Sequence, residues 1–89
     1  MKQFLIRSVI KQETKMLNAK AVYWLSPLGY RDDFGAQYGN IMIDGKTRIG
    51  PWANMTQESW RCHGVGCLGT GYGQKYQKQT DGSWLKIEG

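Results

Sequence analysis

Proline is scarce in this chain, with Pro27 and Pro51 alone among 89 residues. Histidine is scarcer, with His63 alone, and the cysteines are two, Cys62 and Cys67. These three residues are all the soft metal ligands available, and a structural zinc site takes four. No metal is therefore expected. Cys62 beside His63 suggests a nucleophile and its base, but neighbours on a helix point about 100° apart. Cys62 is expected in the core and His63 in solvent. Gly45-Lys46-Thr47 occurs, but Asn40 stands where a Walker loop has its first glycine, so that motif is incomplete. Asp32 and Asp33 form a carboxylate pair, but their glycine-flanked setting beside Arg31 reads as a solvated turn. With no second cluster of titratable groups, the chain is not expected to be an enzyme.

Long apolar runs are also missing, and about 20 residues are needed to span a bilayer. The start "MKQFLIRSVIKQETK" holds three apolar residues in a row before Arg7 interrupts them. That is too short and too charged for a signal peptide, so a cytoplasmic protein with no membrane partner is expected. Its two cysteines are then reduced thiols. No repeat, low-complexity tract or linker is visible, and residues 1–89 are expected to form one domain.

Acidic residues are outnumbered, seven against twelve lysines and arginines, giving a net charge of +5. Residues 1–20 carry +4, residues 21–60 carry −1 and residues 61–89 carry +2. Basic ends around a nearly neutral middle suit an anionic partner, whether nucleic acid or an acidic protein face.

Aromatics are plentiful: four Trp, five Tyr and two Phe. Each can bury about 150–250 Å². A domain of this size buries only roughly 60–65% of its unfolded surface, so each large ring matters. Trp52 and Trp60 are expected as core anchors.

Strands are expected over residues 2–10 and 19–27, the second closed by Pro27. Residues 11–20 read as a polar connection or a short helical turn, and residues 28–40 as a long loop. "NIMIDGKTRI" at 40–49 reads as a hairpin turning at Asp44-Gly45, a pair that tolerates positive φ. "MTQESWRCHGVG" reads as one helix near 56–63, capped by Thr56, with Glu58 in its first turn and Gly64 in the left-handed C-terminal position. "QKYQKQTDGSWLKIE" at 74–88 reads as a second hairpin turning at Thr80-Asp81-Gly82. The expected fold is α+β, a small antiparallel sheet of four to six strands with one short helix.

Residues 64–69, G-V-G-C-L-G, match the dinucleotide fingerprint in form. That motif needs a strand before it and a helix after it. Here a helix precedes and a hairpin follows, and 89 residues leave no room for a doubly wound sheet. No cofactor is expected. The remaining chemical signal is Tyr72, Lys75, Tyr76, Lys78, Trp84 and Lys86, where aromatics alternate with bases. On a hairpin, Tyr76 shares a face with Lys78, and Trp84 with Lys86. Such pairs are how sheets hold single-stranded nucleic acid. These six are the expected partner-binding residues, with the glycines of 64–73 as a lip beside them; the alternative is that Tyr76 and Trp84 are core and the lysines form a solvated rim.

"GPWANMTQESW" and "GTGYGQKYQKQTDGSWLKIEG" resemble stretches of small accessory proteins encoded by bacteriophages and prophages, over about residues 48–89. The resemblance implies context: such proteins bind and disable a host machine, CRISPR and other defence complexes included. It carries over no functional residue, and the positive charge departs from acidic DNA mimics. The expected function is a non-enzymatic phage-type protein that inhibits a host protein complex, in the manner of an anti-CRISPR inhibitor. The alternative is a nucleic-acid-binding module built on the C-terminal hairpin.

Overall fold

The computed structural model describes residues 21–89. The strand expected over 2–10 and the connection over 11–20 lie outside the described residues. Four strands and one helix follow in order: β1 (Ile41–Lys46), β2 (Trp52–Met55), α1 (Gln57–His63), β3 (Gly73–Lys78) and β4 (Trp84–Glu88). The strands form one antiparallel sheet in the order β2-β1-β3-β4. This is the expected small α+β architecture.

β1 is central, and its Ile-Met-Ile run is apolar on both faces. Met42 and Ile43 are both fully buried. Successive side chains point to opposite faces, so each face has its own cover. Ile43 joins Met55 and Trp60 beneath α1, with Ile41, Ala53, Val65 and Leu68 packed around them. Met42 lies opposite Tyr76 on the other face. There the chain before β1 supplies a roof: the Trp24 ring meets Tyr76 edge-on, with centroids 5.7 Å apart.

α1 forms where its caps say it should. The Thr56 hydroxyl accepts from Ser59 N–H at 3.1 Å. Glu58 sits in the first turn, where the helix dipole favours an acid. At the other end the Arg48 guanidinium donates to the carbonyls of Cys62 and Arg61 at 2.7 and 3.1 Å. Those carbonyls have no partner within the helix.

Several expectations are corrected. Asp44-Gly45 is not a turn; both residues lie inside β1 and pair with Asn54 and Ala53 of β2. The chain turns at 47–51 instead, where Thr47 N–H donates to Pro51 O and Gly50 takes φ +117°. Gly45 is kept small by a long-range contact, since a Cβ there would meet Cζ3 of Trp60 at 2.6 Å. Gly64 is not left-handed either, with φ −79°. It too lies against the Trp60 ring, which leaves no space for a Cβ. Trp60 is buried at 6% exposure, but Trp52 is 45% exposed and is no core anchor. Trp52 pairs with Lys46 on an edge strand, where one flank meets solvent. Cys62 is exposed rather than buried, because Ser59 and Trp60 take the inward positions of the short helix. The strand expected over 19–27 reduces, in its described part, to one bridge between Tyr23 and Leu85. Pairing with β4 ends at Trp24, whose N–H donates to Trp84 O. Pro27, with no N–H, cannot extend it.

Candidate functional site

The second hairpin forms as its sequence requires. Gly82 takes φ +89° in the turn, and Asp81 accepts from the N–H and hydroxyl of Ser83 at 2.9 and 2.7 Å. Those bonds, the side-chain one first, hold the Asp81 carboxyl below its ordinary value. The register pairs Lys78 with Trp84 and Tyr76 with Lys86. Alternation then places all four on one face, as the sequence implies. The Lys78 ammonium stands 5.9 Å from the centroid of the Trp84 ring.

The roof changes what this face offers. Tyr76 is buried under Trp24, and burial pushes its phenol above the usual range. Lys75 points to the opposite face and lies 3.7 Å from Glu88. Tyr72 is exposed in the loop before β3. The six expected residues are therefore not one surface. Lys78, Trp84 and Lys86 stay together, whereas Tyr76, Lys75 and Tyr72 are separated from them by burial, face and loop.

What joins Lys78 and Trp84 comes from the loop over 28–40. Tyr38 meets Trp84 at 5.9 Å between centroids, and its N–H donates to Tyr30 O. Leu28, Gly29, Tyr30, Tyr38, Lys78, Gly82 and Trp84 line an open cleft of about 320 Å³. The Arg31 guanidinium stands 5.2 Å from the Tyr30 ring centroid. Burial first, then the carboxylates Asp32, Asp33 and Asp44, push the Tyr38 phenol up to about 12. It is a neutral hydrogen-bond donor at ordinary pH. Tyr30 and Tyr38 are not among the six residues expected from the sequence. Their interleaving with Arg31 is the same aromatic-basic signal that marks the hairpin.

A second surface surrounds the β1–β2 turn. Ile49 is 89% exposed at its tip. Beside it Phe34, Thr47, Arg48, Cys62 and His63 line a cleft of about 210 Å³. Phe34 and His63 stack with centroids 4.1 Å apart and planes within 8°. No sequence signal pairs residues 34 and 63.

Asp32 is also a correction. It is buried at 6% exposure, not in a solvated turn. Its carboxylate accepts from the N–H groups of Phe34, Ala36 and Thr56 at 2.9, 2.8 and 2.8 Å. Burial pushes its pKa up, but the Ser59 side chain and these amides outweigh it and bring it to about 2. Asp33 fastens the same loop to the sheet edge, accepting from Asn54 N–H at 2.8 Å. Asp44 accepts from the Asn54 amide at 3.2 Å, and burial together with Asp33 pushes its pKa up. Asp32 and Asp33 serve the loop's attachment, whereas Asp44 joins β1 to β2.

The glycine stretch lies between α1 and β3, the reverse of the strand-to-helix order that a phosphate cradle needs. Its second half is pinned: Gly69 and Gly73 exchange hydrogen bonds at 2.7 and 2.9 Å, and Lys46 N–H donates to Tyr72 O. Gly71 takes φ +86° at the tip, a conformation other residues avoid. Among the described residues no three His, Cys, Asp or Glu side chains gather as a metal site, and no helix is long and apolar enough to cross a membrane. No family model, curated protein or solved structure matches this chain.

Proposed function

We propose that this chain is a non-enzymatic, phage-type binding protein that inhibits a host protein complex, docking through the β1–β2 turn in the manner of a counter-defence inhibitor. The observation that carries the reading is Ile49, a large aliphatic side chain held 89% exposed beside the stacked Phe34 and His63. Interface cores favour apolar knobs, aromatic rings and arginine in that kind of cluster. The turn is hydrogen-bonded on both sides, by Thr47 to Pro51 and by Arg48 to α1. Little conformational freedom is then lost on docking.

The test is affinity capture from bacterial lysates with the full chain and with Ile49→Asp, followed by activity assays of the captured complex. The wild type is expected to retain a complex and lower its activity, and Ile49→Asp to retain none. Repeated capture of nothing, or equal capture by the variant, overturns the reading.

A nucleic-acid-binding module is the second reading. It is supported by the register that sets Lys78 against Trp84 and Lys86 beside them on one face, together with the net charge of +5. Gel shifts with single- and double-stranded oligonucleotides test it, since phosphate contacts make binding fall steeply with salt.

A further inference from the structure

The cleft between the 28–40 loop and the tip of the second hairpin is built from parts that neither element supplies alone. Tyr30 and Tyr38 come from the loop, and Trp84 and Lys78 from opposite strands of the hairpin. Its volume of about 320 Å³ is that of a small-ligand site. Tyr30 is 68% exposed at the mouth. Two cations already stand over the rings, Lys78 over Trp84 and, outside the lining, Arg31 over Tyr30. One Arg31 nitrogen donates to Gly35 O at 2.8 Å, and the rest of the guanidinium is free of protein hydrogen bonds among the described residues. A cationic ligand, the usual guest of an aromatic cage, would be repelled. No carboxylate lines the cleft. Asp32, Asp33 and Asp44 stand near enough to raise the Tyr38 phenol, but Asp32 and Asp33 are tied to backbone amides and Asp44 to the Asn54 side chain. Asp81, beside Gly82, has its carboxylate tied to Ser83. Aromatic walls with a basic rim and no acid in the lining suit a flat, neutral ring carried on an anionic chain.

Among the described residues, two other clefts lack this combination. The one at Ile49 contains an arginine, but the Arg48 guanidinium is committed to carbonyls of α1. The other, lined by Ala36, Gln37, Gly39, Asn40, Ile41 and Thr56–Glu58, has neither a base nor an aromatic ring in its lining.

We infer that this cleft takes one unpaired base of single-stranded nucleic acid, stacked among Tyr30, Tyr38 and Trp84, with Lys78 and Arg31 neutralising the flanking phosphates. The inference rests on the nucleic-acid reading and moves its site from the hairpin face to the junction of hairpin and loop. A base can enter only when it is not held in a duplex stack. The walls offer π-faces rather than a pattern of donors and acceptors, so preference among bases should be slight.

The test uses the full chain and fluorescently labelled probes of equal length: oligothymidylate, oligouridylate, a duplex and an abasic deoxyribose-phosphate chain. Oligothymidylate is expected to bind about tenfold more tightly than the abasic chain, the scale of one stacked base, and more tightly than the duplex. Oligouridylate, which lacks the C5 methyl and carries a 2′-hydroxyl, is expected to bind as tightly as oligothymidylate, because ring stacking needs neither difference. Tyr30→Ala, at an exposed position, should remove the tenfold preference for bases while leaving abasic binding unchanged. Lys78→Ala should weaken every probe and flatten the salt dependence between about 50 and 200 mM. Binding that is equal for abasic chain, duplex and oligothymidylate, or unchanged in Tyr30→Ala, overturns the cleft but leaves the chain a nucleic-acid binder. No binding of any probe at low salt overturns both.

Discussion

Gly45 and Trp60 lie face to face across the core, so that a Cβ on Gly45 would stand 2.6 Å from Cζ3 of the indole. The pair fixes where α1 sits on the sheet. Gly45→Ala should destabilise the fold by about 1–3 kcal/mol, the usual cost of overpacking. In a chain already carrying Trp60→Leu that cost should largely vanish, because the obstructing ring is gone. Denaturant melts of the four chains check this. Equal costs in both backgrounds would mean that Gly45 is needed for some other reason.

The two tryptophans of the central region should respond unequally. Trp60→Ala is expected to cost about 3–5 kcal/mol, which a domain this small does not easily survive. Trp52, 45% exposed on the edge strand, should cost clearly less on the same substitution. Urea titrations of the two variants rank them, and a larger loss at Trp52 would contradict the observed packing.

Asp32 makes stability depend on acid. Its carboxyl has a pKa of about 2 in the fold against 3.8 ordinarily. A depressed carboxyl contributes its full stabilisation above the unfolded value and loses it as pH falls through the folded value. About 2 kcal/mol should therefore disappear between about pH 4 and pH 2. Asp32→Asn should flatten that decline and lower stability at neutral pH, since an amide cannot accept three N–H donors as a carboxylate does. Thermal melts across pH measure both effects.

Asp44 has the opposite sign. Burial and the neighbouring Asp33 push its carboxyl up, so its charge costs stability above the folded pKa. Asp44→Asn keeps a carbonyl acceptor for the Asn54 amide and removes that charge. The variant is expected to melt higher than wild type at pH 7. It should also bring the Tyr38 phenol down from about 12, because Asp44 is one of the carboxylates holding it up. Alkaline titration followed by tyrosinate absorbance reads that second change.

Arg48 closes the helix from a distance. Its guanidinium bonds the last carbonyls of α1 from the β1–β2 turn. Arg48→Ala should cost about 1 kcal/mol and leave the C-terminal turn of α1 less protected in amide exchange. Arg48→Lys should not restore it, since one ammonium lacks the planar fork that reaches two carbonyls.

Some local features of this protein were legible in its sequence. Thr56 specifies a helix start because its hydroxyl reaches an amide three residues away. Asp81-Gly82 specifies a hairpin because the positive φ it needs is local. Strand alternation then places Lys78, Trp84 and Lys86 on one face. The tertiary structure decided the rest. Asp44-Gly45 reads as a turn because glycine serves tight turns and close approaches alike, and only the Trp60 ring, fifteen positions away in sequence (45 to 60), separates the two uses. Asp32 reads as solvated because the Thr56 amide that holds it lies 24 residues further on. Trp52 and Trp60 have the same composition and opposite fates, set by edge strand and helix face. The cleft of Tyr30, Tyr38, Lys78 and Trp84 exists only once the loop folds over the hairpin, since side chains far apart in sequence are brought together by packing and by no local rule.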